Sequence, residues 1–172
     1  MYNGTMDREI KRVYVDSSVV LGKFDVDESR RQATELFWHA VQSGEIIAVV
    51  SNVLADELAS EQAWQFFADL PNTQIERTES TEESNRLATQ YIAEKVVSEK
   101  SLNDCKHVTI ATINHADGIV SWNLHDMVKR ETKYNRVNLT QGYPKVKILT
   151  PNRYKELYHE IYNIVIGNPS SF

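Results

Sequence analysis

Apolar positions along this chain alternate between short β-prone runs and longer stretches at helical spacing. Val13-Tyr14-Val15 predicts a first strand, and Ser17-Ser18 predict the cap of a helix beginning near Val19. From Glu28 to Ser43 the residues Ala33, Leu36, Phe37, Ala40 and Val41 form one apolar stripe, and Gly44 suits the helix C-terminus. Ile46 to Val50 lacks polar alternation, as expected of a strand covered on both faces, and Ser51 or Asn52 then caps a helix carrying Glu57 and Leu58.

The alternation continues to the end of the chain. Ala63 to Leu70 reads as helix until Pro71, Thr73 to Glu76 as a weak strand, and Ser80 or Thr81 opens a helix to about Val97. Asp104 to His115 is a helix apolar nearly all round, which places it against the sheet. The turn Ala116-Asp117-Gly118 leads into the buried strand Ile119-Val120-Ser121. Residues 130 to 145 are polar and aperiodic and read as a loop, before the strand Val146-Lys147-Ile148-Leu149 and a last helix opened by Thr150-Pro151. This order predicts an α/β fold, a mainly parallel central sheet of about five strands sandwiched by helices. With no internal repeat or linker, a single domain over residues 1 to 172 is expected.

Composition narrows the setting. A chain of 172 residues buries a full core without disulfides, and its one cysteine allows no internal bridge. Cys105, near Val108, Ile110 and Ile113, reads as a small buried apolar residue, consistent with a reducing cytoplasm. The longest apolar run is far short of a membrane span, and Met1 to Arg12 has no signal-peptide core, so a soluble cytoplasmic protein is expected, started at Met1 or Met6. Asn3-Gly4-Thr5 and Asn138-Leu139-Thr140 match the glycosylation pattern, as many sequences do by chance. A net charge of -5 argues against nucleic-acid binding through a broad basic surface, though not against a local site. Lys129, Arg130, Lys133, Arg136, Lys145 and Lys147 make a late basic stretch that reads equally as a solvated face.

The candidate chemistry is acidic. Asp16, Glu57, Asp104 and Asn123 with Asp126 each stand where an apolar segment meets a helix start, and a parallel sheet brings such points to one edge. Oxygen donors with few histidines favour Mg²⁺ or Mn²⁺ over zinc, and no CxxC, HExxH or glycine-rich phosphate loop is present. Gathered carboxylates repel one another unless a cation neutralises them. Such a site serves phosphodiester hydrolysis, and equally a phosphatase.

The flanks of these residues carry a resemblance. Val13-Tyr14-Val15-Asp16-Ser17-Ser18, the stretch Ser51 to Leu58, Asn103-Asp104-Cys105-Lys106-His107-Val108 and Ile119-Val120-Ser121-Trp122-Asn123 resemble a PIN domain, in particular the VapC-like toxins of toxin-antitoxin systems. The resemblance spans nearly the whole chain to Ile148-Leu149-Thr150-Pro151. It implies a Mg²⁺- or Mn²⁺-dependent endoribonuclease whose three acidic motifs are Asp16, Glu57 and Asp104. Asn123 stands where a fourth acid is often found, with Asp126 as partial substitute. It also implies an RNA substrate, a cognate antitoxin partner and a homodimer, while the short apolar runs lead to the expectation of no membrane association. The alternatives are a catalytically weakened scaffold or RNA-binding module, motivated by Asn123, and a Mg-dependent phosphatase, disfavoured because Ser18 stands where paired aspartates would require a second acid.

Each residue also has a plain reading. Asp16 could cap a helix, Glu57 could be a solvated helix residue, and Asp104 could be a charge favoured by the helix dipole. Asn123 reads as turn residue or ligand, Asp126 as a helix-start charge, and His107, on the face of Asp104, as a packed, hydrogen-bonded histidine. Ser17, Ser18 and Ser121 could cap helices or orient carboxylates, and Trp122 could stack on a base but more readily packs.

Overall fold

Uninterrupted apolar strands need cover on both faces, and that need sets the architecture. The computed structural model describes residues 11–58 and 61–157. The strands are β1 (Lys11–Val15), β2 (Ile46–Ser51), β3 (Ile75–Thr78), β4 (Gly118–Val120) and β5 (Lys147–Leu149). They form one parallel sheet in the order β3-β2-β1-β4-β5. The helices among the described residues are α1 (Ser17–Leu21), α2 (Glu28–Gln42), α3 (Asn52–Glu57), α4 (Glu61–Ala68), α5 (Glu82–Ala93), α6 (Leu102–Ile113) and α7 (Glu131–Thr140). None is long and apolar enough to cross a membrane.

Side chains alternate between two cores, because successive strand residues point to opposite faces. Val13, Val15, Ala48 and Val120 pack with Phe37 and Trp38 of α2 in one layer. Tyr14, Val49 and Ile119 pack with Leu87 and Tyr91 of α5 and with Val108 and Ile110 of α6 in the other. Cys105 lies in this second core, fully buried, with burial pushing its thiol up to about 12.

Most predicted elements are present with shifted ends. Pro71 starts a 3-10 turn through Gln74, so β3 begins at Ile75 and not at Thr73. Helix α5 ends at Ala93 and α6 at Ile113, each closed by a residue in the left-handed region, Lys95 (φ 59°) and His115 (φ 54°). Gly44 (φ 92°) closes α2 in the same way, with Glu45 N–H bonded to Ala40 O at 3.0 Å.

One expectation is overturned: residues 131–140 form helix α7, not loop. Its buried positions are Tyr134, Asn135, Val137 and Asn138, a helical spacing in which two members are amides. Asn135 donates to Val146 O at 2.8 Å and accepts from Val146 N–H at 2.7 Å, while Glu131 Oε2 accepts the Ile148 N–H at 2.6 Å. Asn138 is fully buried and bonded to Tyr91 and Thr112, so its glycosylation match is a core residue. After Thr150 the chain makes a 3-10 turn, Pro151–Arg153, and helix begins at Glu156; the rest of the last helix expected there lies outside the described residues. Residues after 157, like Asn3 and the choice between Met1 and Met6, lie outside the described residues.

Candidate active site

The sheet order places β1 between β2 and β4, so chain connections leave β1 and β4 in opposite directions and open a crevice at their carboxyl ends. Asp16 comes directly after β1 at that point. It is 4% exposed and occupies the N-cap position of α1 in extended conformation, yet its side chain caps nothing. Instead Asp16 Oδ1 accepts from Ser18 Oγ at 2.5 Å and Oδ2 from Ser121 Oγ at 2.6 Å. Burial pushes this carboxyl up, opposed by His107 and the two serine hydroxyls. Ser17 and Ser18 therefore do not cap α1; they and Ser121 orient carboxylates.

The serines are fixed in turn. Ser18 Oγ accepts from Trp122 N–H at 2.8 Å, and Ser121 Oγ accepts from Asn123 N–H at 2.9 Å. The Trp122 indole donates to Thr34 Oγ1 at 2.9 Å and carries the Arg30 guanidinium over its ring at 5.2 Å, so it packs within the molecule.

Glu57 is the last residue of α3, where unpaired helix carbonyls disfavour a carboxylate. It is held by side chains: Oε1 accepts from His107 Nε2 at 2.5 Å and Oε2 from Ser17 Oγ at 2.8 Å. Burial pushes Glu57 up, but the His107 hydrogen bond and charge, with the Ser17 hydroxyl, leave it below the usual carboxylate range. His107 is 1% exposed, packed and hydrogen-bonded as its sequence position suggested. Its Nδ1 lies 2.6 Å from Tyr14 Oη, which lies 2.6 Å from Ser51 Oγ.

Asp104 stands in the first turn of α6, half-buried, and among the described residues its side chain makes no hydrogen bond. Burial raises its carboxyl to about 6, helped by the charges of Asp126, Asp16 and Glu57 and opposed by His107. Three carboxylates thus lie within electrostatic reach of Asp104. Asn123 Oδ1 accepts the Asp126 N–H at 3.0 Å, capping the turn that presents Asp126. Asp126 Oδ1 lies 2.8 Å from His125 Nδ1 and 4.0 Å from Arg130 Nε.

These donors suit a hard cation: all are oxygens, and each bonded oxygen of Asp16 and Glu57 accepts one hydrogen bond where it has capacity for two. Among the described residues no three His, Cys, Asp or Glu side chains are gathered at ligand distance. The acidic group is an open arrangement, not a closed coordination sphere. Sequence reasoning offered Ser17, Ser18 and Ser121 as caps or carboxylate holders and His107 as a packed, hydrogen-bonded residue; it missed Tyr14 and Thr34, which bond His107 and Trp122 from other elements.

No protein-family model and no curated protein sequence matches this chain. Solved structures do. VapC20 of Mycobacterium tuberculosis, described as a toxin cleaving the sarcin-ricin loop, superposes with a TM-score of 0.52 at 13% identity, over 78% of this chain and 98% of that chain. VapBC2 of Rickettsia felis, solved bound to a DNA fragment from its promoter, gives 0.51 at 10% identity, over 80% and 96%. With its five-stranded parallel sheet and acidic crevice at the switch point, the chain has the fold of a VapC-like PIN domain.

Proposed function

We propose that this protein is a divalent-metal-dependent endoribonuclease acting as the toxin of a type II toxin-antitoxin pair in the cytoplasm. The observation that carries this reading is the convergence of Asp16, Glu57, Asp104 and Asp126 on one crevice, with Asp104 raised to about 6 by burial and its neighbours' charge. Asp16, Glu57, Asp104 and Asp126, with the Asn123 turn, would hold Mg²⁺ or Mn²⁺. When bound, such an ion lowers the pKa of water and offsets charge on the attacking and leaving oxygens of a phosphodiester. Asp16 and Glu57 keep their orientation through Ser18, Ser121, Ser17 and His107. Asp104, which makes no side-chain hydrogen bond among the described residues, would take the proton of the attacking water on a carboxylate oxygen.

An RNA backbone has a matching surface. Lys95, Lys133 and Arg136, with Glu94, line a groove of about 240 Å³ between the end of α5 and α7. Arg130 joins this groove to the crevice, donating to Val96 O at 2.8 Å and to His125 O at 3.0 Å beside Asp126. A protein partner, antitoxin or second copy, has Leu21, Phe24, Val26 (96% exposed) and Leu36 to cover.

The test is cleavage of single-stranded and structured RNA with Mn²⁺, Mg²⁺ or EDTA, beside the Asp104→Asn variant. Cleavage is expected to need metal and to fall at least about 100-fold in the variant, with an unchanged melting temperature. Cleavage that persists in EDTA or in Asp104→Asn overturns the assignment. A second reading, a scaffold without turnover, is favoured by Asn123, whose side-chain oxygen is engaged in a turn where a fourth acid would stand. Metal binding without cleavage of any RNA would select it.

A further inference from the structure

A buried chain of polar side chains runs across the molecule from Ser51 through Tyr14, His107 and Glu57 to Ser17. It joins the end of β2, strand β1 and helices α6, α3 and α1, and none of its links is needed to satisfy a backbone helix end except at Ser51, which accepts the Leu54 N–H. An ionised carboxylate only accepts, so the ring nitrogen facing Glu57 carries the proton, whichever state the rest of the ring adopts. Turning the ring would set a ring carbon against Glu57 Oε1, and moving that proton to Nδ1 would set a nitrogen lone pair there. The hydrogen bond between the Tyr14 hydroxyl and Nδ1 at 2.6 Å holds the ring against turning, whether the hydroxyl donates to a neutral ring or accepts from a charged one, and Ser51 Oγ lies 2.6 Å from Tyr14 Oη.

We propose that His107 is a positioning residue for cation binding: it holds the Glu57 carboxylate at the rim of the crevice through Nε2–H, and Tyr14 fixes the ring orientation that makes this possible. The inference rests on the metal-dependent reading above and adds a determinant of metal affinity to it. Glu57 needs such a holder. It ends a helix whose carbonyls repel it, and its side chain is 25% exposed, so without His107 solvent offers it outward rotamers. Hydrogen-bond partners of ligating carboxylates typically set metal affinity by about 10–100-fold.

The discriminating pair is His107→Asn and His107→Gln, because the Asn amide stands near the place of Nδ1 and the Gln amide near that of Nε2. Mn²⁺ binding is measured by calorimetry on RNA-free protein, with melting temperature beside it. The Gln variant is expected to keep affinity within a few-fold, the Asn variant to lose about 10–100-fold, with similar melting temperatures. Tyr14→Phe, which keeps the ring, is expected to weaken Mn²⁺ in the same direction and decides the matter if His107→Asn does not fold. Asn and Gln variants that bind Mn²⁺ equally, or a Tyr14→Phe variant with unchanged affinity, overturn the proposal while leaving the nuclease reading standing. Wild-type protein that binds no Mn²⁺ overturns both.

Discussion

Asp104 is the carboxylate of the crevice that no side chain holds among the described residues, and this gives its charge a measurable consequence. Its folded pKa, about 6, lies above its ordinary 3.8, so its contribution to stability is complete below about 3.8 and lost as pH rises through 6. Asp16, raised by burial, acts in the same sense, and Glu57, lowered, in the opposite one. A cation that neutralises Asp104 should restore what ionisation removes. Mn²⁺ is therefore expected to raise the melting temperature more at pH 7.5 than at pH 5, and Asp104→Asn to erase most of that difference; scanning fluorimetry showing equal shifts at both pH values would sink this account. The positions of Asp16, Glu57 and Asp104 were legible because each interrupts an apolar segment at a strand or helix boundary. Their holders were legible only as one option of two: Ser17, Ser18 and Ser121 read as caps or as carboxylate holders, and the carboxylates that Ser17, Ser121 and His107 hold are chosen by contact across the fold, which leaves no period in the sequence.

Elements were legible where apolar residues mark the buried face and illegible where polar residues do. Helix α2 shows its stripe openly, whereas α7 buries Asn135 and Asn138, whose amides bond to Val146 and to Thr112 and Tyr91. Helix ends obey the same rule. Gly44 announces its left-handed turn, while Lys95 and His115 adopt that turn with side chains that give no sign of it. A lysine there carries backbone strain of about 1–2 kcal/mol, partly offset in glycine by greater freedom when unfolded. Lys95→Gly is expected to stabilise the protein by about 0.5–1 kcal/mol, a rise of roughly 1–4 °C for a domain of this size. A lowered melting temperature would show that Lys95 is held by interactions that outweigh the strain.

At the scale of the molecule, two cores on either face of one sheet account for a likeness of fold at 13% and 10% identity: what must persist is a pattern of apolar layers, not particular residues. The sheet has two outer strands, β3 and β5. In β5, Lys147 and Leu149 face β4, so the backbone groups of Val146 and Ile148 point outward, and Asn135 and Glu131 occupy them. Helix α7 thus does for this strand what a sixth strand would do, in side-chain amide and carboxylate. Uncovered, those N–H groups would form a template for another chain. Glu131→Ala combined with Asn135→Ala is expected to produce concentration-dependent β-rich aggregates by light scattering under conditions where the parent stays dispersed. A monodisperse double variant would show that β5 needs no guard. If the guard is needed, α7 keeps one flank of the sheet closed to intruding strands, and any partner that joins this protein by extending its sheet is left with β3.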